Sequence, residues 1–247
     1  MELTLKSVLQ IVDQTGYQPI FQHPSIPPPE QGGSSRLVIP VALKRRVPHP
    51  CNYNHPKKGD RIKVEPIRKL PDIQQIKENL AGQPRNLLLF VLGINTNLRA
   101  SDLVRLTVGQ VRHLNPLDDL ELREKKTGKL RRLNLNESVT TAISKFLATL
   151  PEDVPDSFPL FPSERGDKAL TVPTVSRMVK GWCRKVRLHG NYGSHTLRKT
   201  WGYHQRATFG VGIAELMVCF NHSAQRQTLD YLGVQPEEVK RIYANQI

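Results

Sequence analysis

Proline fixes its own backbone φ and removes an amide donor, so its placement limits where regular structure can form. Of the 19 prolines in this 247-residue chain, 11 fall in residues 1–71, including Pro27-Pro28-Pro29, and 8 fall in residues 72–247. The first segment opens with Leu5, Val8, Leu9 and Val12 at helical spacing. It continues through Gly32-Gly33-Ser34-Ser35 to the basic groups Lys44-Arg45-Arg46 and Lys57-Lys58. Residues 18–65 are expected to form an extended arm with little core of its own. The apolar run from Leu37 to Leu43 leaves a small irregular domain as the alternative.

From Asp72 onward the periodicity becomes helical. Asp72 is placed to cap a helix with Ile73, Ile76 and Leu80 on one face, ended by Gly82 and Pro84. Asn86 to Asn95 is apolar nearly all round, as a buried helix is. After a break at Thr96-Asn97, a short helix carries Leu103 and Leu106. Residues 119–124 and 130–135 read as a β-hairpin whose turn is Lys125-Lys126-Thr127-Gly128. Asn136 caps a helix with Val139, Ile143, Phe146 and Leu147 inward, and Pro151 to Pro162 is a loop. Thr171 with Pro173 starts a basic helix through Val186, and Ser194 caps another to about Thr208. Shorter helices are expected over Ile213–Cys219, Ala224–Tyr231 and Pro236–Asn245. The fold class is α+β: a mainly helical body with one small antiparallel sheet near 119–135.

Composition narrows the function. The longest apolar run, Leu87 to Ile94, is too short to span a bilayer, and Met1-Glu2-Leu3-Thr4 does not open a secretory signal. Cys51, Cys183 and Cys219 are odd in number and far apart, which encodes neither a disulfide framework nor a thiolate zinc site. A soluble, intracellular protein is expected. With 36 Lys+Arg against 22 Asp+Glu, the formal charge is +14. A surplus of this size favours a polyanion through counterion release, nucleic acid ahead of an anionic membrane surface.

Four features of the body bear on chemistry. Arg99 lies at a helix-breaking turn, and Lys126 sits at the hairpin tip. His195 and Arg198, three apart, project from one face near a helix start. His222 precedes Tyr231 by nine residues. Taken singly, each has an ordinary explanation: a surface arginine, a solvated hairpin, a helix cap, a core aromatic.

Together, in this order, they resemble the tyrosine recombinase (phage integrase) family. The matching segments are Asn97-Leu98-Arg99-Ala100-Ser101-Asp102-Leu103, Lys126-Thr127-Gly128-Lys129-Leu130-Arg131, Ser194-His195-Thr196-Leu197-Arg198, Asn221-His222-Ser223 and Thr228-Leu229-Asp230-Tyr231. The resemblance covers roughly residues 72–235, about two-thirds of the chain. The resemblance implies a catalytic domain that breaks and rejoins double-stranded DNA, self-association as a tetramer on DNA, and a cytoplasmic, nucleoid-associated location without a membrane.

Breaking a phosphodiester without water needs a nucleophile that stores the bond covalently, and a phenolate leaves readily enough to keep the step reversible. Tyr231 has the family's interval from His222, whereas Tyr192 lies in a Gly-flanked loop, Tyr203 suits packing and Tyr243 suits docking. Two guanidiniums can fork onto phosphate oxygens at any relevant pH, which assigns Arg99 and Arg198 to a clamp, with His222 as a further donor. The resemblance assigns the general acid for the leaving 5′ oxygen to Lys126. His195 either accepts the Tyr231 proton or hydrogen-bonds the phosphate. No HExxH, paired acidic residues or GxxxxGK[ST] accompanies these residues, so neither a metal nor a cofactor is expected.

The departures from the family pattern are informative. Asn97 and Asn221 stand where glycine is usual, and asparagine tolerates the left-handed backbone glycine would supply. Asp102 replaces Glu, and Phe220 replaces Leu. Residues 1–71 are too short and proline-rich for the helical core-binding domain that closes a clamp on DNA; their basic groups suit the phosphate backbone instead. Residues 236–247 are expected to form a tail helix, docked on a neighbouring protomer or folded back on its own domain. Two alternatives to a recombinase or integrase follow: a DNA-binding accessory protein of recombinase descent, and a type IB topoisomerase-like enzyme.

Overall fold

The computed structural model describes residues 64–164 and 166–232, with isolated positions beyond. The N-terminal arm before residue 64 and nearly all of the tail lie outside the described residues. The hydrophobic stretch that the sequence marks as buried all round forms the centre. It is α2 (Pro84–Asn95), opened by Pro84, and its Leu88, Leu89, Phe90 and Leu92 are fully enclosed. Before it, α1 (Leu70–Asn79) buries Ile73 and Ile76, and Leu80 follows on the same side. This helix starts before the expected cap: Lys69 is the N-cap and Asp72 lies within the first turn. The reason is Pro71, whose fixed φ and missing donor suit the first turn of a helix.

The short α3 (Ala100–Leu103) follows the turn at Asn97 and buries Leu103. The strands β1 (Asp119–Arg123) and β2 (Leu130–Asn134) pair antiparallel in the register Leu122↔Arg131 and Leu120↔Leu133. Leu120 and Leu122 turn inward while Asp119, Glu121 and Arg123 face out, the alternation of a sheet with one covered face. Asn136 caps α4 (Glu137–Leu147) by accepting from the Val139 amide at 3.1 Å. Val139, Ile143 and Phe146 of α4 enter the core shared with α2.

Beyond the proline-rich loop lies a second two-stranded sheet, β3 (Pro162–Ser163) with β4 (Gly166–Ala169), which the sequence pattern does not signal. These strands are too short to show an alternation. Thr171 caps α5 (Val172–Lys185), and Trp182 of this helix meets Phe90 edge-on at 5.8 Å. The helix α6 (Ser194–Ala207) begins one residue earlier than its hydroxyl suggested: Gly193 is the N-cap, its amide donating to Thr196 Oγ1 at 3.0 Å. Then come α7 (Ile213–Phe220) and α8 (Gln225–Leu232).

Close helix contacts set where α6 lies. A Cβ on Gly93 would stand 2.6 Å from Leu197 Cδ1, so α2 and α6 approach only because that methyl is absent. The segment before α1 is stitched along α6. The Ile67 amide donates to Thr200 Oγ1 at 2.9 Å, and the Ile67 carbonyl lies 3.0 Å from His204 Nε2. Ile67 itself is 1% exposed and belongs to the core.

Candidate active site

The site is assembled from three turns and the first half of α6. At the first turn Asn97 adopts φ +52°, and at the third Asn221 ends α7 with φ +56°. Both are left-handed, as the family's usual glycine at these positions leads one to expect. Asparagine there does something glycine cannot: Asn97 Nδ2 donates to the Cys219 carbonyl at 2.9 Å, and Asn97 Oδ1 accepts from Arg131 Nη2 at 3.0 Å. The turn before Arg99 is thereby bound to the end of α7 and to β2.

Arg198 is the central strut. It is 3% exposed, donating from Nη1 to the Asn97 carbonyl at 2.6 Å and from Nη2 to the Phe220 carbonyl at 2.9 Å. One guanidinium therefore fixes the Arg99 turn and the His222 turn relative to α6. The carbonyls it captures at Phe220 and that Arg131 and Asn97 capture at Cys219 are ones the end of α7 leaves open, where cationic donors are favoured. Its guanidinium carbon lies 4.9 Å above the Phe220 ring. Burial brings its pKa down to about 10, and the neighbouring Arg99 and Arg131 act in the same direction.

Arg99 points at a buried carboxylate absent from the sequence-derived set. Its Nη1 lies 2.7 Å from Glu124 Oε1 and 3.9 Å from Asp102 Oδ2. Asp102 Oδ1 accepts from the Lys125 amide at 2.9 Å, which ties the hairpin turn to the helix behind Arg99. Lys126, one residue on, is exposed at the tip. Its charge lowers the pKa of both histidines of the site, although in each case burial is the larger cause and other cations contribute.

His222 is held on three sides. Its ring stacks on Phe220 at 5.2 Å and 15°, meets Tyr231 edge-on at 5.9 Å, and places Nδ1 3.0 Å from Thr228 Oγ1. Burial, then Arg198, Arg99 and Lys126, push its pKa down to about 4. His195 remains exposed, and burial of part of the ring with Arg198, Lys199, Arg99 and Lys126 nearby also lowers it from the ordinary 6.5. Both imidazoles are neutral at pH 7.

The Tyr231 hydroxyl is enclosed and has no hydrogen-bond partner of good geometry. Burial drives its pKa up to about 12, against the opposing pull of Arg198 and Arg99. Lys199 Nζ lies 5.2 Å from the centre of its ring. The sequence-derived residues therefore fall in one neighbourhood: Arg198 joins the turns of Arg99 and His222, His222 touches Tyr231, and Lys126 and His195 share their field. Tyr192 is buried in the core, and Tyr203 packs on His204 at 5.2 Å. Sequence reasoning passed over Glu124, Asn97, Arg131 and Thr228 as working parts. All four lay in the matching segments or beside them, but the bonds that tie Asn97, Arg131 and Glu124 to other segments run over 25 to 122 residues of chain. Among the described residues, no group of three or more His, Cys, Asp or Glu is arranged to hold a metal ion. No helix among them is long and apolar enough to cross a membrane.

Comparison with known proteins identifies the family and the fold. The chain is 34% identical over 183 residues to the probable integrase/recombinase YoeC of Bacillus subtilis, covering 73% of this chain and 95% of that protein. It is 31% identical over 158 residues to the tyrosine recombinase XerC of Caldanaerobacter subterraneus, covering 63% of this chain and 43% of that one. The crystal structure of the XerA recombinase has the same fold, with TM-score 0.59, 20% identity, and coverage of 81% of this chain and 68% of that one. So does the XerH site-specific recombinase bound to its palindromic difH substrate, with TM-score 0.60, 16% identity, and coverage of 75% and 54%. Residues 67–238 match the model of the phage integrase family, and the chain belongs to that family of tyrosine recombinases.

Proposed function

We propose that this chain cleaves and rejoins duplex DNA at specific sites through a 3′-phosphotyrosyl intermediate. The observation that carries this is the Arg198 strut, which holds the Arg99 turn and the His222 turn to one helix beside Tyr231. In this reading the Tyr231 oxygen attacks the scissile phosphorus and the bond to the 5′ oxygen breaks. Lys126 gives that oxygen its proton, and His195, neutral at pH 7, takes the proton from tyrosine. Arg99 and the uncommitted N–H groups of Arg198 hold the non-bridging oxygens. The Thr228 hydroxyl donates to His222 Nδ1, leaving the ring proton on Nε2, the form that donates to phosphate. In the second round the freed 5′-hydroxyl attacks the phosphotyrosyl bond and releases Tyr231.

The stowed Tyr231 hydroxyl fits a nucleophile that awaits substrate. With its pKa near 12, it is inert at neutral pH, and a phosphate between two guanidiniums supplies the attack geometry that raises its reactivity. Duplex DNA as partner is supported by the +14 charge and by the DNA-bound XerH neighbour. Residues 72–235, with the segment 64–71 bonded along α6, would be the catalytic unit, the residues before 64 a basic arm along the phosphate backbone, and 236–247 a tail that couples protomers on DNA. No metal or cofactor is required by this scheme.

A covalent trap tests it. The protein is incubated with a pool of duplexes of randomised core, nicked so that the short fragment bearing the freed 5′-hydroxyl diffuses away, and detergent-stable adducts are collected and sequenced. The wild type is expected to form adducts on an enriched sequence, and Tyr231→Phe none. No adduct with the wild type would overturn the enzyme reading in favour of an accessory DNA-binding protein. Persistence in Tyr231→Phe would overturn the choice of nucleophile. Relaxation of supercoiled plasmid lacking the enriched sequence would favour the topoisomerase-like alternative.

A further inference from the structure

Two carboxylates are buried among the described residues, Asp102 and Glu124, and both are pinned to the turn that bears Lys126. Glu124 makes the denser set of contacts. Its Oε1 lies 2.7 Å from Arg99 Nη1 and accepts from Arg131 Nη1 at 2.9 Å. Its Oε2 accepts from the Thr127 hydroxyl at 2.7 Å and from Asn221 Nδ2 at 3.4 Å. The backbone of the same residue closes the turn: its amide donates to the Lys129 carbonyl, and its carbonyl accepts from the Gly128 amide, each at 2.9 Å. Burying a carboxylate is unfavourable unless it is bound on every side. The β1–β2 ladder already forms the hairpin, so a neutral residue would have served the turn alone.

We propose that Glu124 is a positioning residue that holds the Lys126 turn against Arg99, so that proton donor and phosphate clamp act on the same phosphate. A lysine on a long flexible stem delivers a proton efficiently only if its Cα is fixed relative to the acceptor. Glu124 supplies that fix by gripping Arg99 with one oxygen and Thr127, the residue after Lys126, with the other. Misplacement of a reacting group by about 1 Å costs about 100-fold in rate. The inference rests on the reading of Tyr231 and Lys126 given above.

Sulfur in place of the bridging 5′ oxygen separates positioning of the acid from everything else. A thiolate leaves without a proton, so cleavage of such a strand has no need of Lys126. The substrate is the duplex enriched in the covalent trap, made with 5′-bridging oxygen or sulfur, and single-turnover adduct formation is timed at saturating protein. Lys126→Ala serves as the reference. Glu124→Gln is expected to be slower by about 100-fold on oxygen and to regain the wild-type rate on sulfur, as Lys126→Ala does. Thr127→Val, an exposed position, removes the bond to Glu124 and a longer one from the Lys129 amide, leaves the Glu124–Arg99 contact in place, and is expected to show the same rescue in milder form. Equal slowing of both folded variants on oxygen and sulfur would overturn the proposal, since the loss would then lie in Arg99 or in the fold. Unchanged rates on oxygen would also overturn it while leaving the recombinase reading intact. No adduct from the wild type would overturn both.

Discussion

At the scale of single residues, the site shows polar side chains chosen for two bonds at once. Arg198 could not be replaced by lysine without releasing the Asn97 or the Phe220 carbonyl, because an ammonium lacks the fork that reaches both. Arg198→Lys is expected to lower stability by about 2 kcal/mol and slow adduct formation by about 100-fold, measured by urea unfolding and by the covalent trap. Thr228, 0% exposed, tests the tautomer of His222. Thr228→Val keeps its volume, and cleavage is expected to slow by about fivefold, the equivalent of one hydrogen bond of about 1 kcal/mol. An unchanged rate would remove Thr228 from the mechanism. The order Arg, Lys, His, Arg, His, Tyr was legible in the sequence because the family spaces these residues along the chain in a fixed way. Glu124 was not, since a glutamate beside a run of basic residues looks solvated until its burial is seen.

At the scale of elements, helix approach decides the position of the chemistry. Gly93 lets α2 lie against Leu197, one residue before Arg198, so the centre of the core sets the height of the guanidinium. Gly93→Ala is expected to cost about 1–3 kcal/mol in urea unfolding and to displace α6 enough to slow cleavage. Trimming the opposing side chain in Gly93→Ala/Leu197→Ala should recover part of that rate; no recovery would place the effect elsewhere. Gly202 plays the matching part on the other side of α6, where a Cβ would stand 2.6 Å from Phe220 Cζ. Helix periodicity located α2, α4 and α5 well, because apolar positions at helical spacing leave a clear trace. Starts were less legible: Pro71 and Gly193 moved two of them away from the side chains that looked like caps. The β3–β4 pair left no trace, being held by its surroundings and not by any pattern of its own.

At the scale of the whole molecule, charge links folding to substrate. Glu124 is the clearest case. Burial alone would raise its pKa, but Arg99, Thr127 and Arg131 outweigh burial and hold it at about 2. A depressed carboxylate contributes stability that is complete above its unfolded value near 4.5 and is lost as pH falls through the folded value. About 3 kcal/mol should disappear between pH 4.5 and pH 2. His222, lowered to about 4, adds a loss that begins earlier, as pH drops below 6.5, because the unfolded chain takes up its proton first. Urea unfolding across pH 7 to 2 should show both phases, and Glu124→Gln should flatten the lower one. The +14 charge predicts that DNA affinity, followed by anisotropy, falls steeply with salt as counterions are released. What the sequence determined by itself was the helical body and the hairpin, written in local spacing, and, through the family resemblance, the two left-handed asparagines and the order of the chemical residues. What only the tertiary structure decided was which groups share one field: that Arg198 joins two turns, that Thr228 orients His222, and that Glu124 binds a hairpin to an arginine 25 residues earlier. Those pairings depend on packing between distant segments, and burial of charge becomes affordable only where such packing brings every partner within reach.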